Sequence, residues 1–525
     1  MANKFLFPSI VGRLAPATDT RNFARGRAYQ LTPKQALAQY AATGCMNSTF
    51  YADAASQMDA ILALAPQVEP EFLARLALYA RSQAHMKDVP ALLVALLSVL
   101  SPGLMAEVFD RVIDSPKMLR NFVQIMRSGQ VGRKSLGSLP KRVVQQWLEQ
   151  RSDEQLFRGS IGAKPSLADI IKMVHPKPSS ASRSALFASL IGQPHDENAL
   201  PELVRSFNAF RAGVAAAPAL SLPDVPMDML TDLPLTREHW KELAARVSWQ
   251  TLRMNLNAFA RHGVFESLAA TELVARRLKS PSEIASARVL PYQLMSAFTN
   301  VDPSMPVMIT NALQEAMEIA ITNVPSIDGK VWVLPDISGS MHAPVTGHRK
   351  GSTTKVRCID VAALVAAALV RKNPEAGVLP FASDVVPVEI NPHDSVMTNA
   401  RQLASLPTGG TNCSAPLHYL NKRKLKGDLV IFVSDNESWM DDGVTGSIAR
   451  GTETMKQWEL FKANNPQAKL VCLDLQPNAT TQASSRADVL NVGGFSDAVF
   501  QVISQFSTSS LSPDHWVSII ERETI

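Results

Sequence analysis

The chain has 525 residues, of which 46% are hydrophobic and 19% charged, and its formal net charge is +5. This composition is typical of a well-buried multidomain protein and argues against long disordered stretches. No apolar run of about 18 residues is free of charge, so we expect no membrane span. The first 27 residues lack the apolar segment of a signal peptide. The four cysteines (Cys45, Cys358, Cys413, Cys472) have no paired spacing, so we expect a cytoplasmic protein with reduced thiols and no zinc site.

The basic residues are concentrated in the first part of the chain. Residues 1–325 contain 34 Lys and Arg against 27 Asp and Glu, whereas residues 326–525 contain 18 against 20. No acidic residue occurs between Ser115 and Leu148, and the basic residues of that stretch are Lys117, Arg120, Arg127, Arg133, Lys134, Lys141 and Arg142. A solvated helix face usually mixes both signs, whereas a stretch of one sign is typical of phosphate binding. We therefore favour nucleic-acid binding over an ordinary solvated surface.

From Thr32 to about residue 325 the pattern predicts one helix after another. Ser-Pro or Thr-Pro pairs mark helix starts, and Gln35 completes a capping box with Thr32. Apolar residues recur at helical spacing, and Leu92–Leu100 is apolar nearly all round, which predicts a buried helix. Pro218–Pro234 predicts a long loop, and Trp240, Trp249 and Phe259 are predicted core residues. Short helices joined by Pro/Ser turns favour a degenerate HEAT-like repeat array.

A short amphipathic helix is predicted at Ser166–Val174, followed by His-Pro-Lys-Pro-Ser. Lys172, His175 and Lys177 would then lie near one helix end, where they can meet a phosphate and a base. The alternative for His175 is that its ring caps the last carbonyls of the helix, as histidines at helix ends often do.

After residue 325 the pattern changes to alternating strands and helices, which predicts a doubly wound, mostly parallel α/β sheet. The apolar run Val331–Leu334 is followed by Asp336, Ser338 and Ser340, and Ile359–Val370 predicts a buried helix. Further elements are expected at 377–380, 397–406, 428–433, 452–464, 470–475 and 496–506. The carboxyl edge of such a sheet is where ligands bind, and these side chains offer hard oxygens suited to Mg²⁺.

Two later stretches complete this set of oxygens. Pro407–Asn412 is a glycine-containing loop with Thr411, and the apolar strand Leu429–Val433 is followed by Ser434 and Asp435. In this order the residues resemble the metal-ion-dependent adhesion site of the von Willebrand factor A domain. The resemblance implies a divalent cation, Mg²⁺, held by Asp336, Ser338, Ser340, Thr411 and Asp435. From its position just after Asp435, Glu437 is a further candidate, for a group that shields the cation in the free protein. The alternative is an ordinary Rossmann-like loop capped by Ser and Asp.

The helical part carries Gly132-Arg133-Lys134, Trp147-Leu148 and the segment after His175, and an A domain follows it. This combination resembles the Ro autoantigen family, with a TROVE-like HEAT-repeat RNA-binding domain at 1–325 and an A-type domain at 326–525. The segment Gly44–Tyr51 is similar to the family pattern but departs from it. The sequence also departs at Pro335, which lacks a backbone donor and is therefore expected at a sheet edge or a bulge.

The resemblance implies a ring of HEAT-like repeats closed by the A domain. Small noncoding Y RNAs would bind its basic outer surface, and single-stranded ends of misfolded RNAs would enter its central hole. An exoribonuclease and an acidic protein ligand of the metal site are further implied partners. The residues assigned to RNA are Lys172, His175, Lys177, Arg133, Lys134, Lys141, Arg142, Arg127 and Arg120.

Catalysis is not expected. A metal-dependent phosphohydrolase with Asp336 as nucleophile is one alternative, but the sequence has no second Asp two residues on, no Walker-type loop and no Gly-x-Ser-x-Gly motif. A Mg²⁺-dependent protein-adhesion module is the other alternative, and the acid-free basic stretch argues against it.

Overall fold

The computed structural model describes residues 15–44, 46–162, 164–213, 221–287, 289, 291–321, 324, 326–348, 356–440, 451–496, 498–508 and 514–525. Cys45 lies outside these residues, and the other three cysteines are buried free thiols. The chain divides into two compact units. The sheet unit contains the described residues through Val68 together with Ile321–Arg522, and the helical unit contains Glu69–Ala320 with Glu523–Ile525. The predicted domain boundary at 325/326 is a different division and stays a prediction.

The sheet unit begins with two short strands and two helices. These are β1 (Thr20–Arg21), β2 (Arg27–Gln30), α1 (Pro33–Thr43) and α2 (Ala54–Leu64). The predicted capping box is confirmed, because the Thr32 hydroxyl accepts from the Gln35 amide while the Gln35 side chain accepts from the Thr32 amide. The box satisfies two of the amides that the first turn of α1 leaves without intrahelical partners.

Between Glu69 and Ala320 the described residues form helices joined by turns and contain no strand, as the pattern predicts. The helices are α3 (Pro70–Ser82), α4 (Asp88–Leu100), α5 (Pro102–Val112), α6 (Pro116–Ser128), α7 (Ser138–Gln150), α8 (Asp153–Arg158), α9 (Leu167–Val174), α10 (Ala181–Ile191), α11 (Glu202–Gly213), α12 (Arg237–Arg246), α13 (Trp249–Met254), α14 (Leu256–Arg261), α15 (Leu268–Leu278), α16 (Pro281–Ala287), α17 (Pro291–Asn300) and α18 (Val307–Ala320).

Helices close in sequence pack against each other, as in a repeat array. Helix α4 contacts α3, α5 and α6, and α15 contacts α16 and α18. The edge-to-face pair of Phe109 and Phe122, with ring centroids 5.0 Å apart, joins α5 to α6. Helix α4 is buried from Val89 to Ser98, although Val99 and Leu100 at its end are exposed. The three predicted aromatic core residues at 240, 249 and 259 are buried.

The rest of the sheet unit alternates strands and helices, as predicted. Its elements are β3 (Val331–Pro335), α19 (Cys358–Lys372), β4 (Gly377–Val378), α20 (Val396–Ala404), α21 (Ser414–Lys422), β5 (Leu429–Ser434), α22 (Glu453–Asn464), β6 (Lys469–Asp474), β7 (Thr480–Thr481), β8 (Val489–Gly493), α23 (Ala498–Thr508) and α24 (His515–Glu521).

Five of these strands form one parallel sheet in the order β4-β3-β5-β6-β8. Buried residues of β3, β5 and β6 pack with α21 and α22 in one core cluster that includes Phe432, Trp458 and Phe461. Helix α19 contacts β3 and β5 without belonging to that cluster. This is the doubly wound α/β architecture that the alternation of elements predicts.

Pro335 lies inside this sheet, so the expectation of an edge or a bulge is wrong. Strand β3 is paired on both sides, and Pro335 is in register with Val433 of β5. Pro335 has no backbone N–H, and the position of this missing donor faces β4. The pairing of β3 with β4 is only two residues long. The Pro335 carbonyl still accepts from the Phe381 amide at 3.1 Å.

A second, antiparallel sheet has the order β1-β2-β7 and was not predicted. It pairs Tyr29 of β2 with Thr481 of β7, residues that are more than 450 positions apart in the sequence. Helix α1 also contacts β8 and α24. The N-terminal segment is therefore part of the sheet unit, and it lies against elements near the C-terminus of the chain.

Candidate functional site

The five predicted metal ligands meet at the carboxyl edge of the parallel sheet. Asp336 directly follows β3 and Asp435 directly follows β5, and these two strands are neighbours. The Asp336 amide donates to the Val433 carbonyl at 3.0 Å, which fixes the register of the two strand ends. Ser338 directly precedes a 3₁₀ turn at Gly339–His342, and this turn contains Ser340.

The loop with Thr411 reaches the same edge through backbone hydrogen bonds. The Gly339 amide donates to the Gly409 carbonyl at 3.0 Å, and the Thr411 carbonyl accepts from the amides of Trp439 and Met440 at 3.1 and 3.2 Å. The side chains of all five residues are buried, with exposures between 0% and 6%. The loop of Thr411 therefore lies at the edge that carries Asp336 and Asp435, and the role of the five residues as metal ligands stays a prediction.

Hydrogen bonds hold both carboxylate oxygens of Asp336. The Ser338 amide donates to one oxygen at 2.8 Å, and the Ser434 hydroxyl donates to the other at 2.6 Å. The hydroxyls of Ser338 and Ser340 lie 3.3 Å apart. Burial raises the pKa of Asp336, although these hydrogen bonds partly oppose the rise because they favour the charged form.

Other carboxyls at this edge are buried without a full set of partners. Asp435 Oδ2, Glu437 Oε1 and Asp474 Oδ1 have no hydrogen-bond partner among the described residues. Burial, with repulsion from Asp336, raises the pKa of Asp435 to about 7. Burial also raises the pKa of Glu437 to about 8, and it raises that of Asp474 well above its ordinary range. Several buried carboxyls with unsatisfied oxygens are an arrangement that a cation would stabilise.

The donor set fits a hard divalent cation. It consists of two carboxylates and three hydroxyls, which suit Mg²⁺ and do not suit soft or nitrogen-preferring metals. No group of three or more His, Cys, Asp or Glu that could hold a metal occurs in the described part of the chain. A cation at this edge would therefore depend on the hydroxyls of Ser338, Ser340 and Thr411 as well as on the two aspartates.

Asp474 was not predicted as part of this edge, and Glu437 was predicted only as a group that shields the cation. Asp474 is the last residue of β6 and is in register with Ser434, the residue before Asp435. Its carboxylate accepts from the Gln39 side chain at 3.0 Å. Glu437 accepts from the Ala24 amide at 3.0 Å. These two N-terminal partners are more than 400 residues away in sequence and leave no local signal.

The predicted RNA-binding residues lie in the helical unit, on and between α6, α7 and α9. Lys172 is in the last turn of α9, and the side chains of Lys172, His175 and Lys177 are exposed. His175 ends the helix in the left-handed conformation, with φ of 52°. The Gln145 side chain from α7 donates to the Val174 carbonyl at 2.6 Å and to the His175 carbonyl at 3.3 Å. Gln145 therefore satisfies two carbonyls at this helix end, and the role of the exposed His175 ring stays a prediction.

Further basic residues surround this helix end. Helix α9 contacts both α6 and α7. Arg127 is exposed in the last turn of α6. The pKa of Asp169 is lowered mainly by hydrogen bonds from Ser166, and the charges of Lys172 and Arg127 lower it further. Lys134 and Arg142 are exposed and Lys141 is half-buried, and these three lie in the α6–α7 loop and the first turn of α7.

The two remaining predicted residues serve contacts inside the helical unit. Arg133 donates to the Ser98 carbonyl at 2.8 Å. Arg120 donates to the carbonyls of Gly159 and Ile161, and burial lowers its pKa. These two guanidinium groups connect helices to neighbouring loops, and their predicted contact with RNA stays a prediction.

No helix among the described residues is long and apolar enough to cross a membrane.

Comparison with known proteins finds similarity to Ro60 proteins. Residues 330–507 match the family model of the Ro60 vWA domain. The RNA-binding protein RO60 of Deinococcus radiodurans is 25% identical over 93% of this chain and 95% of its own length. The RNA-binding protein RO60 of Caenorhabditis elegans is 24% identical over 53% of this chain, a match that spans only 44% of that relative.

A solved structure agrees with the fold. The crystal structure of the Deinococcus radiodurans Ro (Rsr) protein superimposes with a TM-score of 0.63 at 21% identity, covering 91% of this chain and 100% of that one. The chain is therefore similar to the Deinococcus RO60 protein along nearly its whole length, its residues 330–507 match the Ro60 vWA domain, and its fold is that of the solved Ro structure.

Proposed function

We propose that this chain is an RNA-binding scaffold of the Ro type that has no catalytic activity of its own. The observation that carries the proposal is the exposed basic surface of the helical unit, formed by residues of α6, α7, α9 and the segment after α9. Two relatives are named RNA-binding proteins, which supports the same function. Such a surface binds the phosphate backbone, and bases are read where strands are unpaired.

The finer parts of the proposal concern the RNA. Small noncoding Y RNAs bind at Lys172, His175 and Lys177, with Arg127, Lys134, Lys141 and Arg142 extending the contact. Single-stranded ends of misfolded RNAs enter the hole of a HEAT-repeat ring. The scaffold acts in RNA quality control in the cytoplasm and presents these RNAs to an exoribonuclease. The exposure of Lys172, His175 and Lys177 supports this assignment. Gln145 already caps the helix end beside them, so the lysine charges are available to phosphate.

The proposal includes a resident divalent cation, Mg²⁺, at the sheet edge. Asp336, Ser338, Ser340, Thr411 and Asp435 would hold it, some of them through water. An acidic side chain of a protein partner is its proposed outer ligand. The unsatisfied Asp435 oxygen and the buried hydroxyls of the loops support this part of the proposal.

The alternative of a phosphohydrolase has less support. Asp336 would be its nucleophile, yet the side chain is fully buried and each of its oxygens accepts a hydrogen bond from Ser338 or Ser434. A carboxylate held in this way is suited to binding a cation and poorly suited to in-line attack on phosphorus.

The test is RNA binding across a salt series. Fluorescence anisotropy would use a labelled RNA hairpin with a single-stranded tail, and the fully paired hairpin as comparison. A Lys172→Ala/His175→Ser/Lys177→Ala variant removes two lysine charges. The slope of log binding constant against log salt concentration should become less steep by about 1.4–1.8. Each phosphate contact accounts for about 0.7–0.9 released counterions, and the variant loses two such contacts.

The matched control is Arg261→Ala/Arg276→Ala, which removes two exposed charges from α14 and α15 of the same unit. Its slope should stay close to that of the wild type. Absence of binding by the wild type at low salt, or equal slopes in the two variants, would contradict the assignment of the RNA surface.

A further inference from the structure

Exposed aromatic side chains are concentrated in one part of the sheet unit. Two loops of the N-terminal segment carry two of them. The first N-terminal loop comprises residues 22–26 and contains Phe23, which is 48% exposed, and the second comprises residues 47–51 and contains Phe50, which is 58% exposed. Trp439, in the segment after β5, is 45% exposed. Every other Phe and Trp side chain in the described part of the chain is buried or half-buried.

The first loop is fixed beside the segment that carries Trp439. The Asn22 side chain donates to the Ser438 carbonyl at 2.8 Å in a buried hydrogen bond. A Cβ at Gly26 would lie only 3.1 Å from Trp439 Cα, so the two backbones are in contact. Phe23 and Trp439 therefore project from adjacent backbone segments.

The second loop contacts the first through aromatic rings. The half-buried ring of Tyr51 stacks with that of Phe23, with centroids 6.4 Å apart and planes 15° apart. It also meets Phe50 edge to face, with centroids 4.8 Å apart. The Asn47 side chain donates to the Thr346 carbonyl at 2.7 Å, which anchors this loop to the rest of the unit. The rings of the two loops are therefore continuous with each other.

The segment after β5 adds two more exposed apolar side chains. A Cβ at Gly410 would lie 2.2 Å from Met440 Sδ and 3.0 Å from Trp439 Cζ2, so both side chains lie over this glycine. Met440 is exposed as well. The surface formed by these side chains, here called the aromatic surface, consists of Phe23, Phe50, Tyr51, Trp439 and Met440.

The aromatic surface is ordered before any ligand binds. Hydrogen bonds of Asn22 and Asn47 hold the backbone of both loops, so a ligand would immobilise few further groups. Large apolar side chains that are exposed singly need no explanation, but adjoining ones mark a contact surface. Flat rings offer such a surface to ligands with flat apolar groups of their own.

The charges next to the aromatic surface indicate the class of ligand. Arg21 directly precedes the first loop and Arg25 lies in it, and both side chains are exposed. The Arg21 guanidinium donates to the Arg25 carbonyl at 2.7 Å, so the two cations belong to one turn. Neither loop contains an acidic residue. Aromatic rings beside arginines suit unpaired nucleotides, because the rings stack on bases and the guanidinium groups bind phosphates. An apolar protein segment would match the rings alone.

We propose that the aromatic surface of the sheet unit binds single-stranded RNA. Bases stack on Phe23, Phe50 and Trp439, and the phosphates between them contact Arg21 and Arg25. The surface selects unpaired RNA without reading its sequence, because every base has a π-face and pairing within a helix hides it. The inference rests on the proposed RNA binding and adds a second contact surface to the basic one of the helical unit.

The first measurement is fluorescence anisotropy of the full chain with a labelled oligouridylate, which is unpaired, and with a fully paired hairpin. Phe23→Leu/Phe50→Leu keeps apolar side chains and removes two ring faces. Its affinity for oligouridylate should fall about five- to a hundredfold, the range for lost stacking of one base, with an unchanged salt dependence. Its affinity for the hairpin should stay that of the wild type. Arg25→Ala should instead make the salt slope for oligouridylate less steep by about 0.7, the value for one phosphate contact on a single strand.

Two variants control for misfolding and for general loss of apolar surface. Phe23→Tyr/Phe50→Tyr keeps both ring faces and should bind oligouridylate as the wild type does. Leu460→Ala removes an exposed apolar side chain from α22 of the same unit, and its affinity should be unchanged.

The second measurement is ultraviolet cross-linking of the wild type to oligouridylate, followed by mass spectrometry of the peptides. Uridine adducts should occur on peptides that contain Phe23, Phe50 or Trp439, because a base stacked on a ring lies close enough to form a direct bond. Adducts confined to peptides of the helical unit would contradict the proposal.

The outcomes separate the two ideas. A wild type that binds neither RNA overturns the proposed function and the inference together. A wild type that binds the hairpin, with equal affinities of wild type and Phe23→Leu/Phe50→Leu for oligouridylate, overturns the inference alone. The aromatic surface would then fit an apolar protein segment in place of RNA.

Discussion

Gly26→Ala should destabilise the sheet unit, because the first N-terminal loop passes directly over another backbone. A Cβ at Gly26 would lie 2.1 Å from the Ser438 carbonyl oxygen and 3.1 Å from Trp439 Cα. Both atoms belong to backbone, so no side chain can rotate to make room. The loop is also held in place, since the Gly26 amide donates to Asn22 Oδ1 at 2.7 Å and the Asn22 side chain donates to the Ser438 carbonyl.

The expected magnitude follows from these contacts. Overpacking of this kind costs about 1–3 kcal/mol, and relief of the clash breaks at least one buried hydrogen bond worth about 1 kcal/mol. The sum of about 2–4 kcal/mol lowers the melting temperature by roughly 4–16 °C for a unit of this size. Differential scanning calorimetry measures this change on the full chain.

The control is Gly103→Ala in the first turn of α5. A Cβ there meets nothing within 4 Å, and the residue is helical. Alanine is the better helix former, so this variant should be neutral or more stable by up to about 1 kcal/mol. A Gly26→Ala protein that melts at the wild-type temperature would refute the close approach of the two backbones.

Three further predictions concern buried polar groups. Ser434→Ala leaves one oxygen of buried Asp336 without its donor and should lower the free energy of unfolding by about 1–3 kcal/mol, measured by urea titration. In EDTA, the free energy of unfolding should fall as pH rises from about 5 to 8. Asp435 and Glu437 have raised pKa values in the folded state, so the folded state binds more protons than the unfolded state over this range. Mg²⁺ should reduce this fall, since the cation replaces the protons, and equal pH profiles with and without Mg²⁺ would contradict the cation site. In the helical unit, Arg183→Met should lower the free energy of unfolding by about 3–5 kcal/mol, because the buried guanidinium pairs with Asp153. Thermal unfolding measures this change, and a loss below about 1 kcal/mol would show that the pair adds little.

Local sequence determined the secondary structure and the inner part of the candidate metal site. The helix starts at Thr32 and Ser115 follow from side-chain oxygens that cap the first turn, which requires only neighbours three residues away. The closeness of Asp336 and Asp435 was predictable for a similar reason. Adjacent parallel strands end at the same edge, so an acid placed directly after each strand lies beside the other.

The tertiary structure decided which of these groups have partners. Arg120 and Arg133 belong to the same acid-free stretch as Arg127, yet they donate to carbonyls of Gly159 and Ser98 that sequence pattern does not connect to them. The hydrogen bond from Ala24 to Glu437 spans 413 positions. Contacts of this kind depend on shape and packing across the folded unit, and neither periodicity nor residue spacing contains that information. The sequence by itself therefore determined which oxygen-bearing side chains the sheet edge offers, and only the folded chain decided that residues 22–26 lie against this edge.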